Sequence, residues 1–433
     1  MPRHITAALN EKAPLRSRVT LIVAASLGNT LEIFDFTVFS FFASIIGQIY
    51  FPSHTLYGSL LMAVGVFGVG FVMRPLGSIM LGAYADRAGR KAALLMTLML
   101  MGIGTATIAL APTYAQIGPL APALIVVGRL LQGFSTGGEI GASMALLVES
   151  ADRHNRGFYI SWQMISQGCS VLMGSACGAL LNVLLSHEAL VRWGWRLPFL
   201  LGLSVVPVGL YLRRKISETF SATAAERPID TLPSPISTFL RDYWLQFMLG
   251  VAIIMSTTLL TYVILFYMPT YMTRVSHVAP GTAYTMSVFT SAVLIGSSLL
   301  SGLILDRLKR HKPLAVGSLL TALLLITPSF VLLSQPDTLW LAFCCRTALV
   351  AALGLSATAN LLMVIEALPR PVRATGMSMT YAFSVAIFGG TAQFIVTWLI
   401  EFTGNAMAPA WYLTIMLTIS LAAFIPFRER HFK

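Results

Sequence analysis

Acidic residues are scarce in this sequence. It has 17 Asp and Glu against 29 Lys and Arg in 433 residues, and the four charged types together make up only 11%. A soluble domain carries about 25% charged residues, so this chain lacks the polar surface to meet water all round. Cysteine is scarce too. Cys169, Cys177, Cys344 and Cys345 all lie inside apolar segments, where neighbours on one helix do not easily meet disulfide geometry. They read as small packing residues. Catalytic constellations are also missing. His4, His54, His154, His187, His277, His311 and His431 fall in loops or termini, and no H-E-x-x-H occurs. A Walker A phosphate loop is absent as well. These gaps argue against an enzyme and against a nucleotide-driven pump, and no metal or organic cofactor is expected.

What the chain does have is apolar length. Hydrophobic residues make up 56% of it, the mean hydropathy is +0.77, and the apolar runs reach the ~20 residues a bilayer-spanning helix needs. Membrane helices are expected near 19–47, 57–83, 92–111, 121–148, 157–185, 195–213, 243–270, 282–305, 313–334, 338–365, 375–401 and 409–427. The first run, from about Val19 to Gly47, is far longer than a signal peptide's apolar region and should stay in place. A net charge of +12 could suggest nucleic acid, but a nucleic-acid binder gathers its basic residues on one face. Here they sit in short clusters between apolar runs. Arg87, Arg90, Lys91, Arg153, Arg156, Arg213, Arg214, Lys215, Arg307, Lys309, Arg310, Arg370 and Arg373 fall in alternate loops, while the opposite loops hold only Arg192, Arg196 and Arg274. Both termini are therefore expected in the cytoplasm of a bacterial cell, with the chain in its inner membrane.

The stretch 213–242 carries Pro228, Pro233, Pro235 and mixed charge, and reads as a cytoplasmic linker between bundles at 1–212 and 243–433. The bundles repeat each other. "GAYADRAGRK" from Gly82 is echoed by "GLILDRLKRHK" from Gly302, an offset of 302 − 82 = 220. Arg129, Glu149 and Arg156 recur as Arg346, Glu366 and Arg373 at 346 − 129 = 217. Parallel six-helix repeats place a substrate site between the halves near mid-membrane. In the loop motif, Gly82, Asp86, Arg87, Gly89, Arg90 and Lys91, with the copy Asp306 and Arg307, read as a latch between helices; the plain alternative is a positive-inside loop.

That loop, the linker and the two halves resemble the major facilitator superfamily. "GNTLEIFDF", "RPLGSIMLGAYADRAGRK" and "GRLLQGFSTGGEIGA" are similar to its metabolite:proton symporter branch, and "GFYISWQMISQ" with "WGWRLPF" resembles the citrate and tricarballylate symporters. The resemblance implies an all-α fold of twelve transmembrane helices in two six-helix parallel repeats. It also implies alternating access, with a proton as coupling ion and a small carboxylate as substrate.

The buried charges stand without that resemblance. Glu32 and Asp35 lie mid-helix at i, i+3, so both carboxylates are expected on one face. Arg129 and Glu139 interrupt the fourth helix and Arg346 the tenth. A charge at the bilayer centre costs at least ~2.5 kcal/mol on insertion scales, so such residues face the bundle interior. Static ion pairs would explain one or two; so many charges in one half point to transport. Asp35 is the expected proton site and Arg129 its switchable partner, positions at which the resemblance also places an acid and an arginine; Glu32 and Glu139 are relay candidates. For an anionic substrate, Arg129 and Arg346 are the cationic candidates. Gln163, Ser166 and Gln167 form a polar stripe on the fifth helix, with interhelical bonding the alternative, and Asn29 and Tyr267 complete the expected lining. Arg74, followed by Pro75, is expected to be structural or gating. A monomer in a lipid bilayer is expected, with no nucleic-acid partner. The readings that compete are a proton symporter for a dicarboxylate, shikimate or a betaine-like zwitterion, and a transporter-like sensor.

Overall fold

The computed structural model describes residues 15–88, 90–137, 144, 147–148, 150–152, 154–204, 206–207, 239, 241–369 and 372–429. Helical segments fall at every predicted position. They are α1 (Leu15–Tyr50), α2 (Gly58–Ala88), α3 (Arg90–Leu110), α4 (Leu120–Thr136), α5 (Arg156–Leu184) and α6 (Leu197–Gly202) in the first half. The second half has α7 (Trp244–Arg274), α8 (Pro280–Arg307), α9 (Lys312–Leu333), α10 (Leu339–Ala367), α11 (Thr375–Thr403) and α12 (Ala408–Ala423). Eight of the described helices are long and apolar enough to cross a membrane. Only the first turns of α6 are described, and the linker expected at 213–242 lies almost wholly outside the described residues.

Punctuation in the sequence sets several helix ends. Pro280 opens α8, Pro313 lies in the first turn of α9, and Gly404 closes α11 at φ 64, where a left-handed residue caps the last carbonyls and glycine carries no steric penalty. Large apolar side chains such as Val72, Ile79, Leu180, Leu324 and Phe402 point outward. Polar and charged groups, Asp35, Arg129, Gln132 and Arg346 among them, are buried within. This inverted distribution fits a lipid surround, where backbone groups are satisfied within each helix and polar side chains must find partners inside the bundle.

Where the helices approach most closely, glycine makes it possible. A side-chain carbon on Gly133 of α4 would collide with the Gly70 carbonyl of α2, the small-residue packing expected where lipid offers no hydrophobic drive between helices. The broadest interhelical contact joins α5 to α8, one from each half.

The halves meet at both ends. At the basic end, the Asp306 carboxylate accepts from the backbone N–H of Gly157 at 2.7 Å and of Phe158 at 3.0 Å, and Arg156 pairs with Glu366 at 3.0 Å. Toward the other end, Arg274 Nε donates to Ser44 Oγ at 2.6 Å, Tyr284 donates to the Phe41 carbonyl at 2.8 Å, and Ser40 and Gln393 exchange hydrogen bonds.

Candidate functional site

Two segments of π-helix interrupt the second half, Thr261–Tyr267 in α7 and Val385–Gly389 in α11. The first has a local cause: Pro269 has no N–H for the Leu265 carbonyl four residues back and crowds that turn. Such bulges recur at functional positions because they re-aim side chains. Both flank a narrow cavity between the halves, lined by Met164 and Gln167 of α5, Thr257, Thr258, Thr261 and Tyr262 of α7, Leu361 of α10, and Tyr381 and Val385 of α11. Gln167 Nε2 donates to the Tyr381 hydroxyl at 3.2 Å, bridging the halves.

Behind the lining lies Arg74, 2% exposed. Its guanidinium sits 4.1 Å from the ring centre of Phe71 and 4.8 Å from that of Phe36, and the Tyr262 ring packs on Phe71 with centres 5.3 Å apart. Arg74 Nε and Nη2 have no hydrogen-bond partner. Glu32 acts electrostatically on the same two tyrosines, Tyr262 and Tyr381.

Asp35 faces elsewhere. It is fully buried in the first half, where its Oδ2 accepts from the Thr105 hydroxyl and from Gln132 Nε2 at 3.2 Å. A side chain at Gly202 of α6 would run into Oδ1, which has no hydrogen-bond partner. Gln132 turns its other end to Arg129, whose Nη1 donates to Oε1 at 2.9 Å. Arg129 and Asp35 therefore form no direct ion pair in this state; one amide connects them. The rest of the Arg129 guanidinium stacks on Phe39, 3.7 Å from its ring centre, a favourable place for a cation whose Nε and Nη2 lack acceptors.

The i, i+3 spacing predicted one face for Glu32 and Asp35, and the structure separates them. A step of three residues turns a helix by about 300°, so the two carboxylates diverge by roughly 60°. On α1, at the edge of its half, that suffices to send Asp35 among α3, α4 and α6 and Glu32 toward α7 and α11.

The other predicted residues divide. Gln167 lines the cavity. Asn29 donates to Ser166 Oγ at 2.5 Å, and Ser166 donates to the Gln163 carbonyl; this part of the stripe joins α1 to α5. Gln163 Nε2 is buried without a partner. Tyr267 accepts from Thr397 at 2.9 Å, outside the cavity lining. Arg346 is also buried away from the cavity, donating to Ser287 at 3.0 Å and Met272 Sδ at 3.4 Å. Glu139 and Gly89 lie outside the described residues, and of Gly82, Asp86, Arg87, Arg90 and Lys91 only the helical backbone is described. Asp306 joins the two halves by capping α5, while Arg307 is exposed. Sequence reasoning passed over Gln132, Thr105 and Tyr381. The first two could have been found by asking which polar residues lie at the depth of Asp35.

A cavity between two helical halves, with charges buried beside it in a lipid-facing bundle, defines a membrane transporter. Comparison with known proteins agrees. The Major Facilitator Superfamily model matches residues 25–390. The chain is 36% identical over 410 residues to the citrate-proton symporter of Salmonella typhi, covering 93% of this chain and 92% of that protein. It is 31% identical to the proline/betaine transporter of Salmonella typhimurium, covering 94% and 83%. The fold matches the E. coli xylose transporter XylE in a partially occluded inward open conformation, with TM-score 0.73 and 15% identity over 96% of this chain and 99% of that one. The chain belongs to the major facilitator superfamily: it is a secondary transporter and not an enzyme.

Proposed function

We propose that this protein takes up a tricarboxylate of the citrate or tricarballylate kind together with protons, by alternating access around the inter-half cavity. The observation that carries the reading is the pairing of that cavity with a separate buried carboxylate. Gln167, Tyr262 and Tyr381 offer neutral hydrogen-bonding groups to a solute, and Asp35 stands apart, enclosed by Thr105, Gln132 and Gly202. In this mechanism Asp35 holds the proton, and Gln132 reports its protonation to Arg129. An ionised Asp35 accepts from the Gln132 amide and so orients the opposite oxygen toward Arg129; a protonated one competes for that amide less well. The citrate-proton symporter of Salmonella typhi, the nearer in identity of the two curated relatives, supports the substrate class.

Energetics favour the coupling. Each net negative charge brought inward against 100 mV costs about 2.3 kcal/mol, and co-transported protons that cancel the charges of a carboxylate remove that cost. The lysine and arginine pattern supports a cytoplasmic position, at a bacterial inner membrane, for the basic end that carries Asp306 and the Arg156–Glu366 pair. We take the unit to be a monomer.

The test is uptake of labelled citrate into proteoliposomes with and without an inward proton gradient, with tricarballylate, succinate, shikimate and betaine as competitors. Gradient-driven accumulation inhibited best by tricarballylate is the expected result. Accumulation of betaine or shikimate without citrate uptake would overturn the substrate and leave the symport class.

A further inference from the structure

Three arginines are buried within the described helices at 2% exposure or less, outside the basic end: Arg74, Arg129 and Arg346. Arg129 and Arg346 are turned away from the cavity. The first is held by Gln132 and the face of Phe39, the second by Ser287, Thr290 and Met272. None of these partners lines the cavity. Arg74 differs: Phe71, on which it stacks, also packs against Tyr262, a lining residue. Arg74 Nε and Nη2 are buried and unpaired, two donors on one edge of a planar group that matches a carboxylate. Phe36 and Phe71 fix the plane of that group.

We infer that Arg74 is the anchor for one substrate carboxylate and thereby sets the selectivity of transport; this rests on the carboxylate reading above. The lining is wired to assist. Tyr381 accepts from Gln167, so its hydroxyl keeps its own proton to donate into the cavity. The Tyr262 ring packs against Gly389 and Phe71 and lines the cavity, sharing the Phe71 surface with the guanidinium. A small swing of that ring exposes Nη2 to the incoming carboxylate. Glu32 lies in the same electrostatic neighbourhood and opposes binding of anions that lack the geometry to engage Arg74. The guanidinium thus selects for a carboxylate at a fixed place, which a sugar hydroxyl does not replace at equal strength.

A ligand and side-chain cycle tests this. Apparent affinities of tricarballylate and of its mono-amide are measured in proteoliposomes as inhibition constants against labelled citrate, for the wild type, Arg74→Gln and Tyr262→Phe. Hydrogen bonds to a charged group imply a loss of about tenfold to a hundredfold for tricarballylate in Arg74→Gln, with most of the discrimination against the mono-amide lost as well. Tyr262→Phe keeps the charge and should keep that discrimination. If Arg74→Gln weakens both ligands equally, Arg74 only shapes the fold and the anchor is wrong. If Arg74→Gln does not insert, Arg74→Lys replaces it: reduced discrimination supports the anchor, and undiminished discrimination overturns it. Wild-type protein that takes up no carboxylate at all would instead overturn the reading on which the anchor rests.

Discussion

Gln132→Leu should uncouple transport from the proton gradient without closing the substrate pathway. Gln132 is fully buried and, among the described residues, bridges Asp35 and Arg129: it donates to Asp35 at 3.2 Å and to Thr105 at 2.9 Å, and accepts from Arg129 at 2.9 Å. Leucine keeps the bulk of the side chain and removes all three bonds. A hydrogen bond to a charged group is worth about 1.5–3 kcal/mol, and 1.36 kcal/mol corresponds to tenfold in rate or affinity. Losing even the weaker link between Asp35 and Arg129 should therefore reduce gradient-driven accumulation by about tenfold or more. Substrate exchange at zero gradient needs no proton transfer and should change by no more than about threefold, roughly 0.7 kcal/mol, because Gln132 does not line the cavity. The assay is paired: accumulation under an imposed inward proton gradient, and counterflow in the same proteoliposomes. The leucine variant also leaves the Arg129 charge without an acceptor, which costs stability, about 3 kcal/mol for a broken buried pair. Gln132→Glu is the control for that loss, because it gives Arg129 a carboxylate in place of the amide while still denying Asp35 its donor. Wild-type accumulation by both variants would refute the relay and return Arg129 to a packing role on Phe39.

Other substitutions probe the remaining parts. Asp35→Asn should abolish accumulation while retaining exchange, and full accumulation by that variant would remove Asp35 from the proton path. Asp306→Ala deletes an acceptor for two N–H groups at the start of α5; capping losses of about 0.5–2 kcal/mol predict a shift toward opening at the basic end, read as faster labelling of single cysteines placed beside Gly302. Arg346→Met exchanges a buried guanidinium that has no acidic partner among the described residues for an apolar group. Buried charges are often replaced so at little cost or with a gain of ~1–4 kcal/mol, so thermal stability should hold or rise and KM should stay within about threefold; a large rise in KM would bring Arg346 to the substrate.

The number and placement of the helices, the two-half repeat and the inward-facing charges were legible in the sequence, because bilayer thickness converts directly into apolar length and a charge in lipid is too costly to leave unpartnered. Asp35 and Arg129 could be singled out on those grounds, and Gln167 by the polar stripe it forms with Gln163 and Ser166. What each one touches could not. Whether Glu32 and Asp35 share an environment depends on where the boundary between the halves cuts across α1, a matter of roughly 60° of rotation that spacing does not encode. Arg74 sat beside a proline and read as structural or gating. Only packing against Phe36 and Phe71, with Tyr262 brought over on a π-helical turn of the other half, sets it behind the cavity. Arg346 matches Arg129 in the repeat yet is held by hydroxyls and a thioether rather than by an amide linked to a carboxylate. Sequence determines which residues must be buried. The meeting of the two halves decides which of them reach the solute, since that surface joins side chains more than a hundred residues apart.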